Sequence, residues 1–542
     1  MEIVCNQNRA YEWVKEDKCF FKGYIFEPEL ETFLESEDAI KYIERCESFE
    51  EFTRMLKRIR GMFAIVYRYK DEVWGAVDHV ASFPLYYYYE GDVISDEVDE
   101  IIRLRGLDKN NYNSKRILEL FETSYVAFDN TVYDEIKSIQ CGQAIRISRE
   151  GLFKEFYYTH MRDSVMRSKQ DTVIELDRIA NEVVKETLAW VGDRRIVLSL
   201  SGGYDSRFLA CLLKKNGAQN VLCYCYGAKG SREMVVSQKV AKALGYEWCF
   251  VEYDYKKSGN EILQLYNQYY QFETNHDHLP HTQTLWAIEE LRRKGILYDS
   301  DVFMTGLTND CQSGNYIVSR EIGQKYKFDN EGVAKYIVNR RFKRIPIVEE
   351  VSKLLIDENK DYLQKQKINV CNYQTFAEAA NCLEFVNVND KHYLKMAKVY
   401  EYYNYKWLAP LLNKQLIDYW YSVEPDLKRG QAIFEEYLMN NLLNAYNLAE
   451  RKKAPSITKK HRKVVYTIAR MMAKLCWPCG IPLKRKTDVT NWSSFEVLLY
   501  KRIANKKMIF EKAEAIRLLE GIYYLESIYG KNWYGRIEKY LE

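Results

Sequence analysis

The chain has 542 residues, 47% of them hydrophobic, with 80 Lys and Arg against 77 Asp and Glu, for a formal net charge of +3. That length exceeds a single hydrophobic core and predicts two or three domains. The ordinary composition excludes a low-complexity or disordered chain, and the balanced charge argues against nucleic acid or a membrane surface as the main partner.

The opening Met1-Glu2-Ile3-Val4-Cys5-Asn6 lacks the basic and apolar regions of a signal peptide. No run approaches the eighteen apolar residues of a membrane span, so a cytoplasmic protein is expected. Up to about residue 155, runs of β-branched and aromatic residues broken by Gly and Asp predict antiparallel strands. These are Phe20–Phe26, Gly61–Tyr67, Val73–Asp78, Pro84–Tyr89, Val93–Ser95 and Gln143–Ile147. A polar helical stretch from Asp163 to Val191 follows. Strand and helix then alternate: strands at Ile196–Leu200, Asn220–Tyr226, Trp248–Tyr253 and Asp301–Thr305, helices at Arg207–Asn216 and Val235–Leu244, the latter two ended by Gly217 and Gly245. That order predicts a parallel sheet covered by helices, with ligands at the carboxyl ends of the strands. Beyond about 330 the chain reads as mostly helical.

Between the buried strand at 196 and the next helix lies Ser199-Leu200-Ser201-Gly202-Gly203-Tyr204-Asp205-Ser206-Arg207. The two glycines let backbone approach a phosphate closely, and a helix start at Ser206 offers unpaired N–H groups and a positive dipole end. Asp205 at the rim of such a cradle would repel phosphate unless a cation intervened, so it reads as a Mg²⁺ ligand. No Gly-Lys-Ser or Gly-Lys-Thr follows, which excludes a Walker A loop. A second string, Thr305-Gly306-Leu307-Thr308-Asn309-Asp310, ends a later strand and is trailed by Gly314. It offers a second carboxylate at a strand end that could share a metal ion with Asp205.

The first string resembles the pyrophosphate loop of ATP pyrophosphatases, which cleave ATP between its α- and β-phosphates. The second resembles the matching aspartate motif of asparagine synthetases. Gly61-Met62-Phe63-Ala64, Asp78, Phe83–Tyr87, Ile94-Ser95-Asp96, Thr131–Tyr133 and Cys141-Gly142 look like the later part of a class II glutamine amidotransferase domain. The resemblance implies an Ntn-type antiparallel β-sandwich-like domain over 1–160, then a doubly wound parallel-sheet pyrophosphatase domain over 170–470, and a helical C-terminal extension over 471–542. It implies ATP contacts at Ser199, Ser201, Gly202, Gly203, Asp205, Ser206, Tyr226 and Gly306, and Mg²⁺ on Asp205 and Asp310. Lys453, in Glu450-Arg451-Lys452-Lys453-Ala454, resembles the lysine that neutralises charge building on phosphate. The alternative is a solvated basic run, since Lys459, Lys460, Arg462 and Lys463 follow. Tyr403–Leu412 fills the place of a family segment expected to pack a helix under the site.

The departures carry as much meaning. A working glutaminase of this class uses an N-terminal cysteine whose own amine activates the thiol; here Cys5 is internal and the glutamine-gripping Arg-Gly-Pro-Asp segment is absent, so a catalytically dead scaffold is expected. Leu307 stands where asparagine synthetases carry Glu and β-lactam synthetases Tyr, and leucine has no proton-accepting atom. Aspartate is therefore expected to be a poor acid. Glu273, His276, His278 and His281 are the nearest candidate bases. His276-Asp277-His278-Leu279-Pro280-His281 holds three of the seven histidines. No fourth ligand is evident and Pro280 breaks helical spacing, which argues against zinc. The resemblance puts His278 and His281 beside the acceptor pocket, and a polar surface turn is the other reading. Thirteen cysteines read as free thiols, and Cys476-Trp477-Pro478-Cys479 as a structural turn.

The expected activity is adenylation of a carboxylic acid with release of pyrophosphate, then acyl transfer to ammonia or an amine. An intramolecular cyclase, a tRNA-modifying pyrophosphatase and an inactive scaffold are the alternatives. A separate ammonia-supplying partner and a homodimer are left open.

Overall fold

The computed structural model describes residues 1–307, 309–342, 347–449, 468, 471–483, 488–506 and 519–541. Its first part orders β1 (Glu2–Val4), β2 (Trp13–Lys15), β3 (Cys19–Glu27), β4 (Thr32–Glu35), α1 (Ser36–Ile43), α2 (Phe49–Arg58), β5 (Arg60–Tyr69) and β6 (Glu72–Val77). There follow β7 (Tyr86–Tyr88), β8 (Val93–Ser95), α3 (Val98–Arg105), α4 (Ser114–Thr123), β9 (Ile136–Ser138), β10 (Gln143–Ser148) and β11 (Gly151–Phe156). These strands form a seven-stranded sheet, β11-β10-β6-β5-β3-β2 with β4 on β3, and a four-stranded sheet, β1-β8-β7-β9. The larger sheet is antiparallel throughout, whereas the smaller contains one parallel pair, β1 with β8. The two sheets close on each other at Gly75 of β6, where an added Cβ would come within 3.0 Å of the Ile139 side chain next to β9.

The helices α1 to α4 interrupt a region whose sequence pattern speaks mainly for strands. Each is ten residues or shorter, below the length that holds a helix in water by itself. They form because one face is buried: Ile40 and Ile43 on α1, Phe52 and Leu56 on α2, the Phe52 ring 5.6 Å from that of Trp74 on the sheet.

The second part begins with α5 (Lys169–Val191), six residues later than the polar stretch suggests. It continues through β12 (Ile196–Ser199), α6 (Tyr204–Lys215), β13 (Val221–Gly227), α7 (Arg232–Leu244), β14 (Glu247–Glu252), α8 (Tyr255–Glu273), α9 (Leu285–Arg293) and β15 (Val302–Met304). Its sheet is wholly parallel in the order β14-β13-β12-β15-β16, with β16 at Lys406–Leu408. The chain walks outward from β12 in one direction, returns, and walks outward in the other. Such a reversal opens a crevice at the carboxyl ends of the two strands that flank it, β12 and β15. Arg195 grips Asp301 through two hydrogen bonds of 2.9 and 2.7 Å at the opposite ends of those strands, fixing their register.

The segment 403–412 forms strand β16 and a 3-10 turn at Pro410–Leu412, packed against the helices Lys398–Tyr402 and Lys414–Ser422. Three residues with Trp407 and Leu408 buried are too few to show a strand period in sequence, and pairing with β15 decides their conformation. The remaining described residues are largely helical, including Asn330–Arg341, Glu349–Lys365 and Tyr373–Glu384. All thirteen cysteines are unpaired, and Trp477, between Cys476 and Cys479, is fully buried in a turn. Among the described residues no helix is long and apolar enough to cross a membrane.

Candidate active site

The loop leaving β12 is held by its own serines. Ser201 N–H donates to Ser206 Oγ at 3.1 Å, Gly203 N–H donates to Ser201 Oγ at 3.0 Å, and the two hydroxyls lie 3.0 Å apart. These bonds curl residues 201–206 into a tight turn at the start of α6. The helix starts at Tyr204, two residues before the sequence-predicted start, with Gly203 as a cap that brings no side chain. Asp205 sits in that first turn, where a carboxylate is favoured by the helix dipole.

The second loop comes from β15, anchored by Thr305 N–H on the Leu408 carbonyl at 3.1 Å. A Cβ added at Gly306 would lie 2.9 Å from Ser206 N and 3.0 Å from Asp205 C. Only glycine lets the second loop press against the start of α6, and that approach brings Asp310 to the same cavity as Asp205. The cavity measures about 360 Å³ and is lined by the predicted Ser199, Ser201, Gly203, Asp205 and Ser206, together with Tyr226, Gly306, Leu307 and Asp310. Tyr226 stacks at 5.2 Å on Tyr253, an aromatic face suited to a planar base. Lys453 lies outside the described residues.

Several lining residues carry no signal in the sequence. Gln283 and Thr284 come from the loop before α9, Met396 and Tyr400 from the helical region, and Val489 and Thr490 from the C-terminal extension. The last two are held by Ala228 N–H donating to the Val489 carbonyl at 2.8 Å. No periodicity or motif could have linked residue 489 to residue 228.

A third carboxylate was also missed. Glu233, in the first turn of α7, accepts the N–H of Gly202, and its oxygen would be 3.0 Å from a Cβ at that glycine. An acid in a first helical turn reads in sequence as a partner for the dipole, nothing more. Here it occupies one amide of the anion cradle, an internal stand-in for a phosphate oxygen, so the cradle fits the group it would take. The two aspartates fit Mg²⁺, which usually binds through one or two carboxylates plus substrate phosphates. Among the described residues no group of three or more His, Cys, Asp or Glu side chains could hold a metal ion unaided. Glu233→Gln should tighten apparent Mg-ATP affinity roughly three- to tenfold, since a charge-assisted hydrogen bond competing with phosphate is weakened. Weaker binding in that variant would instead make Glu233 a partner of the cation.

The histidine loop is neither a polar surface turn nor part of this cavity. His276, Asp277 and His278 are buried in a seam between the first and second parts of the chain. His278 lies between Glu273 and Asp277, with Nδ1 2.7 Å from Asp277 Oδ1. Asp277 also accepts from Lys391 at 2.9 Å and from the Tyr86 hydroxyl at 3.2 Å, and Lys391 reaches Ser138 Oγ at 2.7 Å. His276 bonds Tyr529 and Asp99. Of the candidate bases, His281 faces a second chamber next to the first, and Glu273 lines a small separate cavity beside Asp96 and Lys398.

Residues 46–158 match the glutamine amidotransferase domain family and residues 177–322 the asparagine synthase family. No curated protein matches the chain. Solved structures similar to it include a glutamine phosphoribosylpyrophosphate amidotransferase from B. subtilis, 10% identical over 45% of this chain and 72% of that one, TM-score 0.19. Others are the NH3-dependent NAD synthetase of Campylobacter jejuni (15% identity, 40% and 94% coverage, TM-score 0.19) and the U34-tRNA thiolase NcsA of Methanococcus maripaludis (17%, 43% and 78%, TM-score 0.19). The two matches, an amidotransferase-like domain ahead of an asparagine synthase-like domain, support an asparagine synthetase-like family for this chain.

Proposed function

We propose that the protein adenylates a carboxylic acid at the crevice between β12 and β15 and transfers the acyl group to an amine without hydrolysing glutamine. The observation that supports adenylation most is the approach of Gly306 to Ser206, which puts Asp205 and Asp310 on one cavity beside the Ser201–Ser206 turn. The loop amides would bind the pyrophosphate end of ATP, and Tyr226 would face its base. Mg²⁺, held by Asp205 and Asp310, would supply positive charge against the leaving pyrophosphate. The acid's carboxylate attacks the α-phosphorus, pyrophosphate departs, and Leu307 and Met396 give its acyl chain an apolar wall.

The state of Cys5 supports the absence of glutaminase. It is buried, and that burial, with Asp96 nearby, pushes its thiol well above the usual range. A thiol so placed supplies no thiolate at neutral pH. Asp96 is itself saturated by the chain's own donors: Asn6 N–H at 3.0 Å, Gln7 N–H at 2.9 Å and the Trp13 indole at 2.7 Å.

Acid-dependent exchange of labelled pyrophosphate into ATP tests the adenylation step before any amine is known. Bulky apolar acids should support exchange and aspartate should be at least tenfold poorer. Glutamine should yield no glutamate above a Cys5→Ala control. Failure of exchange across a broad panel of acids would overturn adenylation, and aspartate turnover at about 1 per second or more would restore plain asparagine synthesis.

A further inference from the structure

A second chamber adjoins the nucleotide cavity, and the two share Gln283 and Thr490 on their walls. It also measures about 360 Å³, against about 30 Å³ for a molecule the size of water or ammonia. Its walls are aromatic: Tyr270 on α8, Tyr524, and Trp492 at the start of the helix Trp492–Arg502. Its polar residues include Glu520, Thr282, His281 and His392, and no Lys or Arg is among its described lining residues.

Three features make it a built site rather than a packing gap. Tyr270 is 1% exposed, yet its hydroxyl has no hydrogen-bond partner among the described residues. His281 Nε2 is likewise without a partner, and burial, with the charge of His278 beside it, lowers that imidazole to about 3, so it is neutral at physiological pH. Glu520 comes from the helix Leu519–Tyr529, accepts the Thr282 hydroxyl, and is raised to about 7 by burial, against which the Thr282 bond acts.

Among the described lining residues a carboxylate substrate would find no Lys or Arg, whereas an organic ammonium would find one carboxylate and three aromatic side chains. We infer that the chamber is the acceptor site of the ligase and takes an organic primary amine rather than ammonia, with Glu520 of the C-terminal extension as its anchor and proton acceptor. This rests on the adenylation reading for the identity of the other reactant. The ammonium gives one proton to the Glu520 carboxylate. The freed lone pair forms the C–N bond to the acyl carbon while the bond from that carbon to the AMP oxygen breaks, its electron pair staying on AMP. The remaining excess proton on nitrogen leaves to the AMP phosphate, giving amide, AMP and a protonated Glu520 that returns its proton to solvent.

Benzylammonium and benzoate, alike in shape and opposite in charge, are the probes. Calorimetry on the full chain should show benzylammonium binding and at least tenfold weaker binding of benzoate. The isosteric Glu520→Gln should weaken benzylammonium at least tenfold, and Tyr270→Phe severalfold, with thermal melting of each variant reporting whether it folds. Equal or tighter binding of benzoate, or no change in either folded variant, overturns the acceptor site. With wild-type pyrophosphate exchange intact, that result sinks the chamber alone; loss of exchange with the binding pattern retained sinks adenylation and leaves the amine site standing.

Discussion

Asp205→Asn and Asp310→Asn should each lower pyrophosphate release on the order of a hundredfold or more, while the protein stays folded. An amide keeps the shape of the carboxylate but not its negative oxygen, and charge neutralisation at developing phosphate charge accounts for a loss of that order. The cost to stability is far smaller. Asp205 lies in the first turn of α6, where a carboxylate contributes about 0.3–1 kcal/mol through the helix dipole. Activity and unfolding therefore separate cleanly: turnover collapses and the urea midpoint barely moves. Mg²⁺ dependence gives a second readout, since each variant should need more metal for its residual rate. Near-normal turnover in either one removes the metal assignment.

Lys391→Met should destabilise the fold by about 3–5 kcal/mol, the cost of leaving a buried charge without its partner. Lys391 is 3% exposed and Asp277 1%, so water can compensate neither. The pair stitches the Asp277 loop to Tyr86 and Ser138 of the first part of the chain. Urea unfolding should begin earlier and lose cooperativity as that part separates. A loss below about 1 kcal/mol would show that water or movement relieves the site.

The same seam sets a pH window. Burial opposes the charge on His278, but Glu273 and Asp277 outweigh it and raise the imidazole to about 9. Its contribution is therefore complete below the unfolded value of about 6.5 and lost as pH rises through 9. Burial likewise opposes the charge on Asp277, but Lys391 and His278 hold that carboxyl well below the usual range. Its contribution is complete above about pH 4 to 5 and is lost as pH falls further. The seam is strongest between those limits.

By itself the sequence determined what is local. A buried strand, two glycines, an aspartate and a helix start mark a tight turn in sequence, because hydrogen bonds among residues 201–206 shape it locally. The aspartate loop after β15 was legible for the same reason, and so was the alternation that makes a parallel sheet. What only the tertiary structure decided is which distant segments share a wall. Reversal of strand order at β12 sets Gly306 against Ser206; nothing within either loop encodes that distance. Glu233 reaches Gly202 because β13 pairs beside β12 and aims α7 at the crevice. The histidine loop, polar in composition, is buried because Lys391, more than a hundred residues later, supplies the charge that makes burial tolerable. Thr490 reaches the crevice beside β12, and Glu520 the chamber next to it, for a like reason: the C-terminal extension packs across α8 and the end of β13. Contacts of that range depend on the order in which elements stack, and that order is a property of the whole chain.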